Sequence, residues 1–316
     1  MAEYNPTHLN MQMTTTGTVS PLFQPALNRY VLENAKEKLV FNQFGQNIKV
    51  PKGKGKTIVW DKCEPLSTEN ITALTEGVTP EGTELRVSRK EATPAQYGRY
   101  VATTDEFDFY KVDPSPEVLK LGKKLADNAA ETFDKLTYAV LKAGTNVQYA
   151  GGKTSISAIT AEDTFSVKEI RKAVRTLSKN KGETIDGSYV CVVDADLAYN
   201  LQGDSAWIDV KNYDPEDMYA GEIGKLFGVR FVMTTQDLEE GTGSGGVPVH
   251  CAYFFAKNAY GSTSEKGNIE TIWKNKGSGG TADPLEQRST AGWKGHHVAR
   301  ILTEEWMVRC LCAVGD

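Results

Sequence analysis

No apolar run in the 316 residues reaches the roughly 20 that a membrane-crossing helix needs, so no bilayer span is expected. Basic charge is not in excess either. Lys+Arg total 36 against 41 Asp+Glu, a net charge of −5. Proteins that grip nucleic acid neutralise phosphates with Lys and Arg, so this balance argues against nucleic acid as a directly read ligand. Cysteine is scarce: Cys63, Cys191, Cys251, Cys310 and Cys312 are odd in number and scattered. That excludes a disulfide framework and points to reduced thiols and folding in cytoplasm. The opening "MAEYNPTHLNMQMTTTGTVS" lacks the charged-then-apolar layout of a secretory signal. No internal repeat is found.

The hydrophobic fraction is 40%, ordinary for a globular chain. A chain of this size buries about three quarters of its unfolded surface and needs no metal to stay folded. Its length corresponds to about two domains, or one elaborate one.

Residues 1 to about 22 are polar and Thr-rich and read as a loose arm. A short amphipathic helix is predicted from Pro25, with Leu27, Tyr30, Val31 and Leu39 in its stripe. "KTIVWDKC" then reads as a strand, and "LRVSRKEATPAQYGRYVATTDEF" as extended chain. Between them, "STENITALTEGVTPEGTE" is too polar to bury much. Together these predict a long hairpin over Thr57–Thr104 with a soft tip. A hairpin alone is marginal in water, so a partner surface is expected to support it.

"VDPSPEVLKLGKKLADNAAETFDKLTYAVLKAG" predicts the longest helix, about 40 Å at 1.5 Å per residue. Asp113 or Ser115 suits its cap, Pro116 its first turn and Gly144 its end. Val118, Leu121, Leu125, Ala129, Phe133, Leu136 and Val140 form the expected stripe. Beyond it, "NVQYAGGKTSISAIT" reads as strand, "SVKEIRKAVRTLSKN" as helix and "SYVCVV" as buried strand. "DADLAYNLQG" opens another helix, and "EIGKLFGVRFVMTT" reads as helix, glycine, strand. The alternation predicts an α/β lobe from about Phe165 to Lys274. The strand-rich "HHVARILTEEWMVRCLCAV" is expected to pair with the strand after the long helix.

Motifs for chemistry fail one after another. "PKGKGKT" has Val50 where a phosphate loop needs its first glycine, and it precedes a strand instead of a helix. Asp194 and Asp196 in "VVDADLAY" follow a buried strand, where magnesium-dependent phosphoryl chemistry can sit. However, Ala198 stands where a nucleophilic Asp-x-Asp site wants Thr or Val, and helix capping explains one aspartate. Ser205 in "GDSAW" lacks the following glycine of a nucleophile elbow, because Trp207 is there. "GTGSGG" likewise has Thr242 in place of the first glycine. His296 and His297, read as a surface pair, with Cys310 and Cys312 make a poor zinc set, since the cysteines are one residue apart on a strand. Trp273, Trp293 and Trp306 read as core or interface anchors. No residue is assigned a catalytic, cofactor-binding or metal-binding role, and no cofactor is expected. Extended elements without chemistry serve contact between copies or partners.

"LTEGVTPEG", "YGRYVATTDEFDF", "NLQGDSAW", "GEIGKLFGVRFVMT" and "GWKGHHVARILTEEWMVR" occur in this order. From about Asn28 to Arg309 the chain resembles the major capsid proteins of tailed bacteriophages, in the group like the phage N4 coat protein. The resemblance implies an α+β, HK97-like major capsid fold. Its parts would be an N-terminal arm (1–50), an E-loop hairpin (51–104), a P-domain with long spine helix (105–163), an α/β A-domain (164–280) and P-domain return strands (281–316). "AQYGRYVATTDEF" would be the E-loop return strand, with one face for its own domain and one for a neighbour.

The implied function is self-assembly, through pentamers and hexamers, into the icosahedral shell of a virion. That shell encloses double-stranded DNA without sequence-specific binding, and no membrane is involved. No scaffolding segment precedes the arm, so the resemblance implies a separate scaffold protein, a portal, and room for a decoration protein. Synthesis is expected in the host cytoplasm. Two alternatives stand beside it. One is an encapsulin-like nanocompartment shell; the other is a magnesium-dependent α/β phosphotransferase or hydrolase using Asp194 and Asp196.

Overall fold

The computed structural model describes residues 40–50, 56–63, 84–104, 117–204, 222–264, 268–274 and 283–314, with isolated positions between them. In chain order the strands begin with β1 (Gln46–Ile48), β2 (Ile58–Cys63), β3 (Val87–Ala92) and β4 (Ala95–Thr104). The long helix α1 (Glu117–Leu141) follows, then β5 (Val147–Tyr149), α2 (Val167–Lys179), β6 (Tyr189–Val193) and α3 (Ala195–Gln202). Next come β7 (Glu222–Leu226), β8 (Val229–Met233), β9 (Glu239–Thr242), β10 (Pro248–Phe255) and β11 (Tyr260–Thr263). The chain closes with β12 (Ile269–Lys274), β13 (Arg288–His297), β14 (Ala299–Ile301) and β15 (Met307–Ala313). The predicted helix from Pro25 and the cap of α1 lie outside the described residues, as does most of the hairpin tip.

Two compact units divide the chain. The smaller takes Gln96–Ala130 and Glu265–Gly295; the larger takes Lys38–Ala95, Glu131–Ser264 and His296–Asp316. Helix α1 gives its first part to one and its last part to the other.

The larger unit is built on a mixed sheet in the order β5-β15-β10-β6-β8-β7, with β9 on β10. Its central strands are buried on both faces, which is why they read as unbroken apolar runs. Alternate residues serve opposite faces. Cys191, Val193, Phe254 and Cys310 pack with Ile170, Ala173 and Leu177 of α2 and with Leu197 and Leu201 of α3. Val190, Val192, Tyr253, Phe255 and Leu311 pack with Phe41, Leu141, Leu238 and Tyr260. The result is a sheet with a core on each side. The expected return of the C-terminal strand is present: β15 runs parallel to β5, Arg309 opposite Val147, and antiparallel to β10.

Helix α1 shows the expected length, but its buried seam is rotated. Leu125, Ala129 and Phe133 are buried, then Thr137 and Leu141 take the seam, while Leu136 and Val140 are only half-buried. The reason is polar. Asp134, also buried, accepts the Phe41 N–H at 2.8 Å and the Gln236 amide at 2.7 Å, and Thr137 bonds His297 at 3.0 Å. Gly144 is not a left-handed helix stop. A Cβ there would lie 2.1 Å from Met307 Cε, so the glycine permits close packing of β15.

Two sequence expectations are corrected. "EIGKL" is strand β7, not helix, and forms a hairpin with β8 in which Leu226 faces Val229. Ile223 and Leu226 mimic helical spacing, but Phe227 (φ 50°) and Gly228 (φ 73°) form a two-residue turn with both residues at positive φ, which favours a tight hairpin. Second, the hairpin return strand is β3, with Ile58 opposite Ala92 and Cys63 opposite Val87. "AQYGRYVATT" is a separate strand after Pro94, a residue with no N–H to give a ladder. It joins the smaller unit's sheet, order β12-β13-β4. Close approach there is made possible by two glycines: a Cβ on Gly98 would meet the Trp293 carbonyl at 2.7 Å, and one on Gly292 would meet Tyr100 Cβ at 2.8 Å.

Candidate functional site

Asp194 follows the fully buried strand β6 and caps α3. Its Oδ1 accepts the Leu197 N–H at 3.0 Å, the bond that an N-cap aspartate supplies. Its Oδ2 faces Nδ1 of His250, on the buried strand β10. Asp196 sits in the first turn of α3 and is exposed. The donor atoms of Asp194, Asp196 and His250 all lie within 4.8 Å of one another, and no other such group of three occurs among the described residues. Sequence reading found both aspartates and missed His250. The available signal was one histidine in the otherwise apolar "VHCAYFFA".

The imagined zinc set does not come together in that way. His297 is not at the surface. It is buried, stacks on Phe133 at 4.9 Å, and lies between Thr137 Oγ1 at 3.0 Å and Thr263 Oγ1 at 2.9 Å. Thr137 donates to the Phe133 carbonyl, so it accepts from His297 Nε2–H, and Thr263 donates to Nδ1. That chain suits a neutral ring. Burial pushes the His297 pKa down to about 4. His296 is exposed. Cys310 and Cys312 are buried free thiols 3.5 Å apart on β15. Burial raises the thiol pKa of Cys191, Cys251 and Cys312 well above the ordinary range, which removes the thiolate that reactivity requires. Cys63 is exposed.

A second buried polar group joins Arg309, Glu240 and Tyr253. Arg309 pairs with Glu240 and also donates to the Gly144 carbonyl at 2.7 Å, and Tyr253 donates to Glu240 at 2.5 Å. Burial first, then nearby negative groups, pushes the Tyr253 and Tyr138 phenols above their usual range. Such a network fixes β9, β10, β15 and the end of α1 in one arrangement. Trp293 is buried with its Nε1 on Asn128 at 3.1 Å; Trp306 is partly buried, bonds the Asn180 carbonyl and carries Lys62 over its ring.

Large apolar side chains are exposed on extended chain, as well as at Tyr199 on α3 and at Phe227 and Leu285 in turns. In the larger unit, Leu85 is 61% exposed just ahead of β3, and Val87 is 52% exposed at its first position. In the smaller unit, Tyr100 is 72% exposed on β4, beside Val101.

A family model described as "Phage capsid protein" matches residues 88–309, more than two thirds of the chain. The chain belongs to the phage capsid protein family. Among curated proteins none matches it. The capsid protein of Ralstonia phage GP4 is similar in structure, with a TM-score of 0.68 at 14% identity over 88% of this chain and 89% of that one. The cyanophage Pam1 capsid subunit has a TM-score of 0.61 at 14% identity with full coverage of both chains. A virus-like particle protein of Pyrococcus furiosus shares the fold more distantly, at 0.53 and 9%, over 91% of this chain and 99% of that one. This phage capsid protein therefore has the HK97-type fold. Its function is that of a major capsid protein, a structural subunit of the virion's icosahedral shell. The encapsulin-like reading is not favoured.

Proposed function

We propose that the chain closes a shell around double-stranded DNA through pentamers and hexamers, with no turnover of its own. The exposed apolar side chains of β3 and β4 support this reading, because neighbours in a shell would cover them. The acidic balance of −5 fits a container that holds DNA without reading it. The buried, bonded state of Asp194 favours a structural role over phosphoryl transfer.

Within the family we place the chain with the N4 coat-like group. Residues 1–50 act as the arm, 51–104 as the E-loop, 105–163 and 281–316 as the P-domain and 164–280 as the A-domain. A separate scaffold protein directs assembly, a portal occupies one vertex, and synthesis takes place in the host cytoplasm. Electron microscopy and sedimentation of the expressed chain, with and without scaffold, test this reading. Rings of five and six or closed particles are expected. A compact monomer at high concentration under both conditions overturns it.

A further inference from the structure

We propose that Asp194, Asp196 and His250 form a binding site for one divalent transition-metal ion of the zinc class, as a staple within the larger unit. The proposal is independent of the shell role and assigns no catalysis. Three elements meet here: the end of β6, the first turn of α3 and the start of β10. Each contributes one donor, and all three donors lie within 4.8 Å of one another.

Ligands about 2.0–2.2 Å from a common ion stand roughly 3–4 Å apart. Asp194 Oδ2 and His250 Nδ1 are in hydrogen-bond contact, closer than two ligands of one ion, so the ion takes the place of the proton between them and spreads the pair. The third ligand is Asp196, which is exposed. The two others are buried and held: Asp194 by its bond to the Leu197 N–H, His250 by its strand. A buried pair with one solvent-facing carboxylate gives an entry path and leaves positions for water.

The chemistry selects the ion. Two carboxylates balance a 2+ charge, and the imidazole nitrogen favours zinc-like ions over magnesium or calcium, which prefer oxygen donors alone. The N-terminus of α3 carries a partial positive charge near half a unit that opposes a cation. Two full carboxylate charges closer to the ion outweigh it. An ion held here ties α3 to β6 and β10 and binds only the folded lobe, so it stabilises the subunit.

The test uses full-length protein after EDTA treatment and dialysis. Calorimetric titration with zinc chloride is expected to show saturable uptake near one ion per subunit, with Tm rising as zinc is added. Cobalt chloride should give a visible d–d absorption band. Asp196→Asn should weaken zinc binding at least about tenfold, the minimum seen even for loss of an outer-shell partner. Asp196 is exposed in the first turn of α3, so loss of its favourable charge there should lower the metal-free Tm only slightly. His250→Gln should abolish the cobalt band. Absence of saturable uptake at millimolar zinc overturns the proposal, as does Asp196→Asn binding like the wild type.

Discussion

Glu240 shows how one side chain holds several elements. It accepts from Tyr253 and pairs with Arg309 across the sheet, and all three side chains are largely removed from water. Removing one partner of a buried ion pair leaves the other charge unpaired, at a cost of about 3–5 kcal/mol. Glu240→Ala should therefore lower the urea midpoint strongly, and Glu240→Gln less, because it keeps an acceptor for Tyr253. Unchanged midpoints in both would show that the network is ornamental. His297 supplies a pH prediction. Its folded pKa of about 4 lies below the ordinary 6.5, so between those values the unfolded chain binds more protons. The contribution is whole above pH 6.5 and is lost as pH falls towards 4, by up to about 3 kcal/mol at 1.36 kcal/mol per unit. Chemical denaturation across that range should show a steeper decline in wild type than in His297→Gln. Neither residue was legible in the sequence as a network member. Glu240 and Arg309 lie 69 positions apart, and His297 meets a threonine 160 positions away. Asp194 was legible, because capping is local, whereas its partner His250 was not.

At the scale of elements, apolar periodicity located the long helix, the buried strands β6 and β10 and the C-terminal return. These are long or continuous patterns whose burial is dictated by composition. It failed where a turn overrode it. Phe227–Gly228 converts an apparent helix into a hairpin, and Pro94 splits one extended run into strands of two different sheets. It also misplaced the end of the α1 seam, because Asp134 and Thr137 are buried through bonds that no hydrophobic pattern records. Strand β4 separates the demands of folding from those of assembly. Gly98 lies against Trp293, so Gly98→Val should disrupt the pairing with β13 and lower Tm. Tyr100 points to solvent, so Tyr100→Ser should change subunit stability by no more than about 0.5 kcal/mol. The same variant should nevertheless reduce particle yield. Equal yields from Tyr100→Ser and wild type, measured by sedimentation, would remove β4 from the contact surface.

For the whole molecule, the sheet core and the extended hairpin obey different physics. The larger unit buries its central strands on both faces and needs no neighbour to do so. The stretch from Ser67 to Glu84 is rich in Thr, Glu and Gly and holds few large apolar residues, so it brings little burial of its own. Its value lies in repetition. A closed shell presents the same contact once per subunit, and tethered contacts reinforce one another far beyond their single affinities. Loss of one contact type is then felt at every position at once. Deletion of residues 67–84 should abolish particles in electron micrographs while far-UV circular dichroism and amide-exchange protection of β6, β10 and β15 stay close to wild type. Normal particles from the deletion would contradict this division of labour. Loss of protection in β10 together with loss of particles would mean that the hairpin supports its own subunit's fold, and that assembly fails only as a consequence.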